Sequence, residues 1–125
     1  MRPCFIGCDI GTQGTKTAIY AADGALLADS FEASVLLHPE PGAVTQAPEE
    51  MLGSVCRTIR AALEKSGIAP GQIAAVGVDA QMAGILGVGG DGIAVTPYDS
   101  WLDTRCAPYV STMKEAAEEA VIRLT

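Results

Sequence analysis

The sequence predicts an α/β domain that opens with three antiparallel strands, a helix and a parallel strand. Three observations predict it. A short apolar run ends in Asp9, passes through a turn rich in glycine and threonine, and becomes apolar again before Asp23-Gly24. An apolar repeat of helical spacing starts behind Pro48 and stops at Gly67. A continuous apolar run, 73–78, then ends in a second aspartate, Asp79.

The first strand spans 4–8 and leads into Asp9; the second runs from about 16 to 20. Asp23-Gly24 tolerates the positive φ of a tight hairpin turn, which places the third strand at 25–36. Three strands with short connections form an antiparallel meander. The segment from His38 to Pro48 inclusive holds three prolines and a glycine, which makes it a loop. Pro48 suits a first helical position, and Glu49 and Glu50 complement the positive helix end, although Ala47 offers no capping oxygen. Met51, Leu52, Val55, Ile59, Ala62 and Leu63 are the expected buried stripe of this helix. The run 73–78 has the composition of a buried parallel strand. Beyond it, 85–88 and 93–95 flank Gly89-Gly90-Asp91-Gly92 as a hairpin-like pair. An acidic helix begins near Pro108 and shows no stop signal at Leu124-Thr125.

The 125 residues suit one domain, 1–125, with an aliphatic core, since 49% of them are hydrophobic and only 5% aromatic. Eight basic against fifteen acidic residues give a net charge of −7, which argues against a nucleic-acid partner. No segment approaches the length of a membrane span, and Met1-Arg2-Pro3 leads directly into the first strand, so the expected location is the cytoplasm. The four cysteines have no metal-binding spacing and the single histidine, His38, lies in a loop. Buried free thiols are the expectation for Cys4, Cys8, Cys56 and Cys106.

Asp9 and the turn behind it carry the chemistry. A carboxylate at the end of a strand sits where open α/β sheets place their ligands. Gly11-Thr12-Gln13-Gly14-Thr15 would let backbone amides approach an anion, with the threonine hydroxyls and Lys16 as further donors. Asp9 would then face phosphate across a Mg²⁺ ion, because two like charges in contact need a cation between them. The spacing matches neither the P-loop nor the dinucleotide fingerprint. Composition leaves two readings standing: a phosphate-binding turn, or an ordinary hairpin with a glycine-rich bend.

The motif Asp9-Ile10-Gly11-Thr12-Gln13-Gly14-Thr15-Lys16 resembles the first phosphate motif of the actin, hexokinase and Hsp70 superfamily, whose fold starts in the same β-β-β-α-β order. Val76-Gly77-Val78-Asp79-Ala80-Gln81-Met82-Ala83-Gly84 is similar to the strand and Q-M-H-G loop of xylulokinase-like FGGY carbohydrate kinases. Trp101-Leu102-Asp103-Thr104-Arg105 resembles their W-x-D-x-R stretch, and Pro41 to Glu49 their lead-in to the first helix. Ala83 stands where xylulokinase-like sequences carry histidine, and Ala47 where the family usually has a capping aspartate.

The resemblance implies a ribonuclease H-like, actin-like ATPase domain, here the N-terminal part of the first of two kinase domains. It implies ATP and Mg²⁺ as cofactors and a small sugar as substrate, a pentulose or related polyol. Asp9 would hold the hydrated metal, and Gly11, Thr12, Gln13, Gly14, Thr15 and Lys16 the ATP phosphates. Gln81, Met82, Trp101, Asp103 and Arg105 would lie on the sugar side, with Gln81 and Asp103 supplying hydrogen bonds and Met82 and Trp101 an apolar surface. The general base and the adenosine site belong to parts of the family's enzymes not matched here, so the 125 residues alone are expected to be inactive and to self-associate through exposed apolar surface. Two other readings share the first loop: a nucleotide-driven switch or activator ATPase of the superfamily, and a non-catalytic domain of the same fold.

Overall fold

A computed structural model describes residues 2–124, with side chains described to residue 117; the expected lack of a stop signal at Leu124-Thr125 and the lead-in from Met1 lie outside these limits. Strands β1 (Cys4–Ile10), β2 (Gly14–Ala21) and β3 (Leu26–Ala33) form the expected meander. Helix α1 (Pro48–Ser66) crosses to β5 (Ile73–Ala80), giving a mixed sheet in the order β3-β2-β1-β5. Strands β1 and β2 pair antiparallel, with Asp9 opposite Lys16, while β1 and β5 pair parallel, with Asp9 beside Asp79. Strand β4 (Thr45–Gln46), just before α1, pairs antiparallel with β6 (Tyr98–Asp99), which follows β5, and α2 (Val110–Leu124) comes last.

The hairpin turn and the helix end follow local rules. Gly24 has a φ of 86° and Gly67, which closes α1, a φ of 66°, both in the left-handed region that favours glycine. Gly14 is required for another reason: a Cβ there would collide with the Glu32 carbonyl and the Phe31 ring.

The core lies between α1 and one face of β1–β3. Cys4, Ile6, Cys8 and Ile19 point into it from the sheet, with Ala62 from the helix. Here the expected helix stripe is corrected. The buried positions of α1 are Ser54, Thr58 and Ala62, one turn apart, while Ile59 and Leu63 flank them and Leu52 is exposed. Hydroxyls therefore occupy much of this interface, and each finds a partner. Thr17 donates to Thr58 Oγ1 at 2.8 Å, Thr58 donates to the Ser54 carbonyl at 2.8 Å, and Ser30 donates to the Thr58 carbonyl at 2.6 Å. Satisfied in this way, the hydroxyls avoid the desolvation cost of unpaired polar groups.

Four further expectations are corrected. Strand β3 ends at Ala33, where Ser34 turns its amide to the Gln13 carbonyl and leaves the ladder. The apolar strand β5 pairs in parallel but is not buried: Val76 and Val78 are more than half exposed, because α1 packs over β1–β3 and stops short of β5. Only Cys4 and Cys8 are buried thiols; Cys56 sits on the outer side of α1 and Cys106 on an exposed turn. The pair around Gly89-Gly90-Asp91-Gly92 closes through one isolated bridge, Val88 to Ala94, rather than through full strands. No helix among the described residues is long and apolar enough to cross a membrane.

Candidate functional site

The ends of β1 and β5 bring two carboxylates together. Asp9 and Asp79 are parallel neighbours in register, and Lys16 stands across from Asp9 on β2. All three line a broad cavity of about 740 Å³ on the face of the sheet that α1 leaves open. Asp79 Oδ1 accepts from the Ala80 amide at 2.8 Å, which fixes that carboxylate. Asp79 was not singled out from the sequence. The signal was present, since both apolar runs end in aspartate and a parallel pairing of the two sets them side by side.

The turn from β1 to β2 is tight. Gly11 donates its amide to the Gly14 carbonyl at 3.0 Å, and the Gln13 carbonyl accepts from the Ser34 amide. The amides of Thr12 and Gln13 have no hydrogen-bond partner among the described residues, so the bend presents two adjacent donors. Thr15 points the other way. It is buried against α1 with its hydroxyl 2.6 Å from Ser54 Oγ, whose own proton goes to the Met51 carbonyl. Thr15 therefore donates into the helix interface, and Thr12 is the hydroxyl of the bend that faces outward.

A second cavity, about 410 Å³, joins this bend to the later motif. Asp9, Gly11 and Thr12 line one end of it, and Ala80, Gln81, Met82, Ala83 and Trp101 the other. The structure thus brings Gln81, Met82 and Trp101 to the Gly11–Thr12 turn although some seventy to ninety positions separate them in the chain. Trp101 Nε1 donates to Thr12 Oγ1 at 2.8 Å, Thr12 donates to Gln81 Oε1 at 3.1 Å, and Gln81 Nε2 donates to Gln46 Oε1 at 2.7 Å. Met82 is 84% exposed and Trp101 54%, so both offer open apolar surface. Ala83 has a φ of 59°, an uncommon conformation for a residue with a Cβ. Next to it, Gly84 admits no side chain, because the Tyr98 ring and hydroxyl fill that space. Tyr98 is buried, its hydroxyl has no partner among the described residues, and burial pushes its acidity down.

Asp103 and Arg105 are placed differently. Neither lines the cavity of Asp9 and Trp101. Asp103 accepts from the Val44 amide at 3.0 Å and from the Arg105 side chain, and these bonds, those of Arg105 first, hold its carboxyl down at about 2. Arg105 also reaches Asp99 at 2.8 Å and Glu40 at 3.2 Å, and this carboxylate ring raises its pKa further. The cluster clamps the 40–44 loop to β6 and to the segment carrying Trp101.

The donor set suits a phosphate with a hydrated divalent cation. The Thr12 and Gln13 amides are donors of the kind an anion needs, and the Asp9 and Asp79 carboxylates, neighbours in register, are oxygen ligands of the kind a hard, hydrated cation takes. Among the described residues no group of three or more His, Cys, Asp or Glu side chains converges as a closed metal cage.

Comparison with known proteins is consistent in direction. The model of the N-terminal domain of the FGGY family of carbohydrate kinases matches residues 4–124. A glycerol kinase of Citrifermentans bemidjiense is 32% identical over 120 residues, covering 95% of this chain and 24% of its own length. A glycerol kinase of Geobacter sp. is 30% identical over 120 residues, again 95% of this chain and 24% of that protein. Among solved structures, a gluconate kinase from Lactobacillus acidophilus superposes with a TM-score of 0.83 at 26% identity, covering 94% of this chain and 23% of that one. A xylulose kinase from the same organism gives 0.81 at 26% identity, covering 92% and 23%. The chain spans about a quarter of the length of the curated relatives it matches.

Proposed function

The chain belongs to the FGGY family of carbohydrate kinases, and on that premise we propose that the whole enzyme transfers the γ-phosphoryl group of ATP to a hydroxyl of a sugar or polyol. Residues 1–125 form the N-terminal part of its first domain, in an actin-like ATPase fold, and the general base and adenosine site are supplied by other parts of the enzyme. The observation that carries this reading is the cavity in which Asp9, Gly11 and Thr12 meet Gln81, Met82 and Trp101. One wall can hold phosphate and the other a carbon face.

Each side chain has a defined task. Asp9, with Asp79 beside it, would hold a hydrated Mg²⁺, which when bound would offset the charge that builds on the transferring oxygens. The amides of Thr12 and Gln13 and the Lys16 ammonium orient the phosphates. Met82 and Trp101 receive the apolar face of the acceptor. Asp103 and Arg105 shape the sugar side by fixing the segment that carries Trp101. The acceptor is a pentulose or a related polyol. The relatives named above act on glycerol, gluconate and xylulose, and Ala83 removes an imidazole that would otherwise contact the acceptor. The enzyme is cytoplasmic, and the 125 residues alone do not turn over because the base is elsewhere.

The test is an ADP-release assay of the complete enzyme with D-xylulose, glycerol and gluconate. Asp9→Ala is expected to lower kcat by about 10²-fold or more, the size seen when one group that stabilises transition-state charge is lost. The acceptor KM should move only a few-fold. Turnover on none of these acceptors, or an Asp9→Ala enzyme that folds and keeps its kcat, would overturn the reading.

A further inference from the structure

Four side chains form one hydrogen-bonded line across the site, from Trp101 through Thr12 and Gln81 to Gln46. Its direction is set at the indole. An indole N–H can only donate, so Thr12 Oγ1 accepts from it and must send its single proton elsewhere. That proton goes to the Gln81 carbonyl, which turns the Gln81 NH₂ toward Gln46, and Gln46 answers with its own carbonyl. Flipping either amide would set two donors, or two acceptors, face to face. Gln46 is 3% exposed and is held in β4 opposite Tyr98, so it is the fixed end of the line.

We propose that Gln46 is a positioning residue that, through Gln81 and Thr12, couples the Trp101 wall to the phosphate turn, so that filling either one favours filling the other. The ligands' identities rest on the kinase reading; the line of hydrogen bonds does not. The coupling works by exchange of partners. A phosphate oxygen arriving at Thr12 accepts the hydrogen bond that its hydroxyl had given to Gln81, and Gln81 Oε1 is left to accept from an acceptor hydroxyl. An acceptor hydroxyl donating to Gln81 Oε1 frees the Thr12 hydroxyl to donate to phosphate in the same way. Both exchanges need the Gln81 carbonyl to stay aimed at the cavity, and the Gln46 carbonyl is what keeps it there. Trp101 remains bonded to Thr12 throughout, so the wall and the turn stay in one arrangement.

Two measurements test this. Trp101 is the only tryptophan in the sequence, so the indole ¹H–¹⁵N resonance of the 125-residue chain reports on the line without overlap. Gln46→Met, which keeps the length but loses the acceptor, should shift that resonance and speed its hydrogen exchange, although Trp101 bonds to Thr12 and not to residue 46. Gln46→Glu keeps an acceptor and should leave it near the parent position, which also controls for misfolding of the first variant. An unmoved resonance in a folded Gln46→Met chain would overturn the positioning role. In the complete enzyme, acceptor Kd is measured with and without Mg·β,γ-imido-ATP, using D-xylulose, glycerol and gluconate as probes. The nucleotide should tighten acceptor binding by roughly 5-fold or more, the ordinary lower range of such coupling. Gln46→Met should bring the ratio to within about twofold of unity, and Gln46→Glu should restore it. A parent enzyme with no such ratio, or a Gln46→Met enzyme that keeps it, would overturn the coupling while leaving the kinase reading intact. If none of these acceptors is phosphorylated but the indole resonance behaves as expected, the kinase reading falls and the positioning role of Gln46 stands.

Discussion

Ile19 and Tyr20 are neighbours on β2 and face opposite sides of the sheet, the first fully buried under α1 and the second 41% exposed. The two sides differ in a way that hydrophobicity would not suggest. The covered side holds threonine and serine hydroxyls among its aliphatic groups, while the open side carries Phe5, Tyr20, Leu26 and Phe31 beside Asp9 and Lys16. Burial here is decided by which face receives a helix, and the hydroxyls are tolerated because each one is bonded. The open face has the character of a surface that belongs against something else, whether the rest of the domain or a second copy.

The largest expected effect breaks the covered side. Ile19→Ala should cost about 2–5 kcal/mol in a urea melt, the range for truncating a fully packed aliphatic side chain. Thr58→Val should come next, at about 1–3 kcal/mol, because it strips Thr17 of its acceptor inside the interface. If Thr58→Val were neutral, the hydroxyls would be passengers and packing alone would hold the helix. Tyr20→Lys on the open side should change stability by no more than about 0.5 kcal/mol. The same change should lower self-association seen by sedimentation, and an unchanged association state would show that this face is not the contact. The smallest effect is confined to acid. The folded Asp103 carboxyl sits at about 2, below its ordinary 3.8, chiefly through Arg105. Its contribution is complete above about pH 4 and is lost as pH falls toward 2. Asp103→Asn should therefore flatten the acid limb of a melting-temperature profile in that window and do little near neutrality.

The meander, the helix and the parallel strand were legible because each is announced by local chemistry. Asp23-Gly24 dictates its turn, Pro48 and Gly67 bracket α1, and the run ending in Asp79 has strand composition. The Asp9 turn was legible as a motif, and so were Gln81, Met82 and Trp101, but only through resemblance. What could not be read was which groups would be spent internally. Thr15 has the same side chain as Thr12, yet strand alternation turns it into the core. For Asp103 and Arg105 an internal ion pair was a reading the sequence already offered, but not that Asp99 and Glu40 would join it. Gln46 carried no signal of its own, since its role depends on meeting a side chain thirty-five positions away. The helix stripe misled for a simpler reason: apolar spacing identifies a helix, but not which of two adjacent stripes the sheet will take.

The parallel pairing of β1 with β5 has a consequence in time. Strand β1 gains β2 within a few residues, but its other edge waits for a segment on the far side of α1, with Cys8 finally meeting Val78. At roughly 5–20 residues per second of synthesis, that edge emerges several seconds before its partner exists. During that interval an unpaired strand of high apolar content is exposed beside a meander that is already formed, which is the situation that invites pairing with another chain. A nascent chain halted after Gln72 should therefore aggregate more readily than one extended through Gln81. Equal solubility of the two would mean that α1, rather than β5, shields the edge.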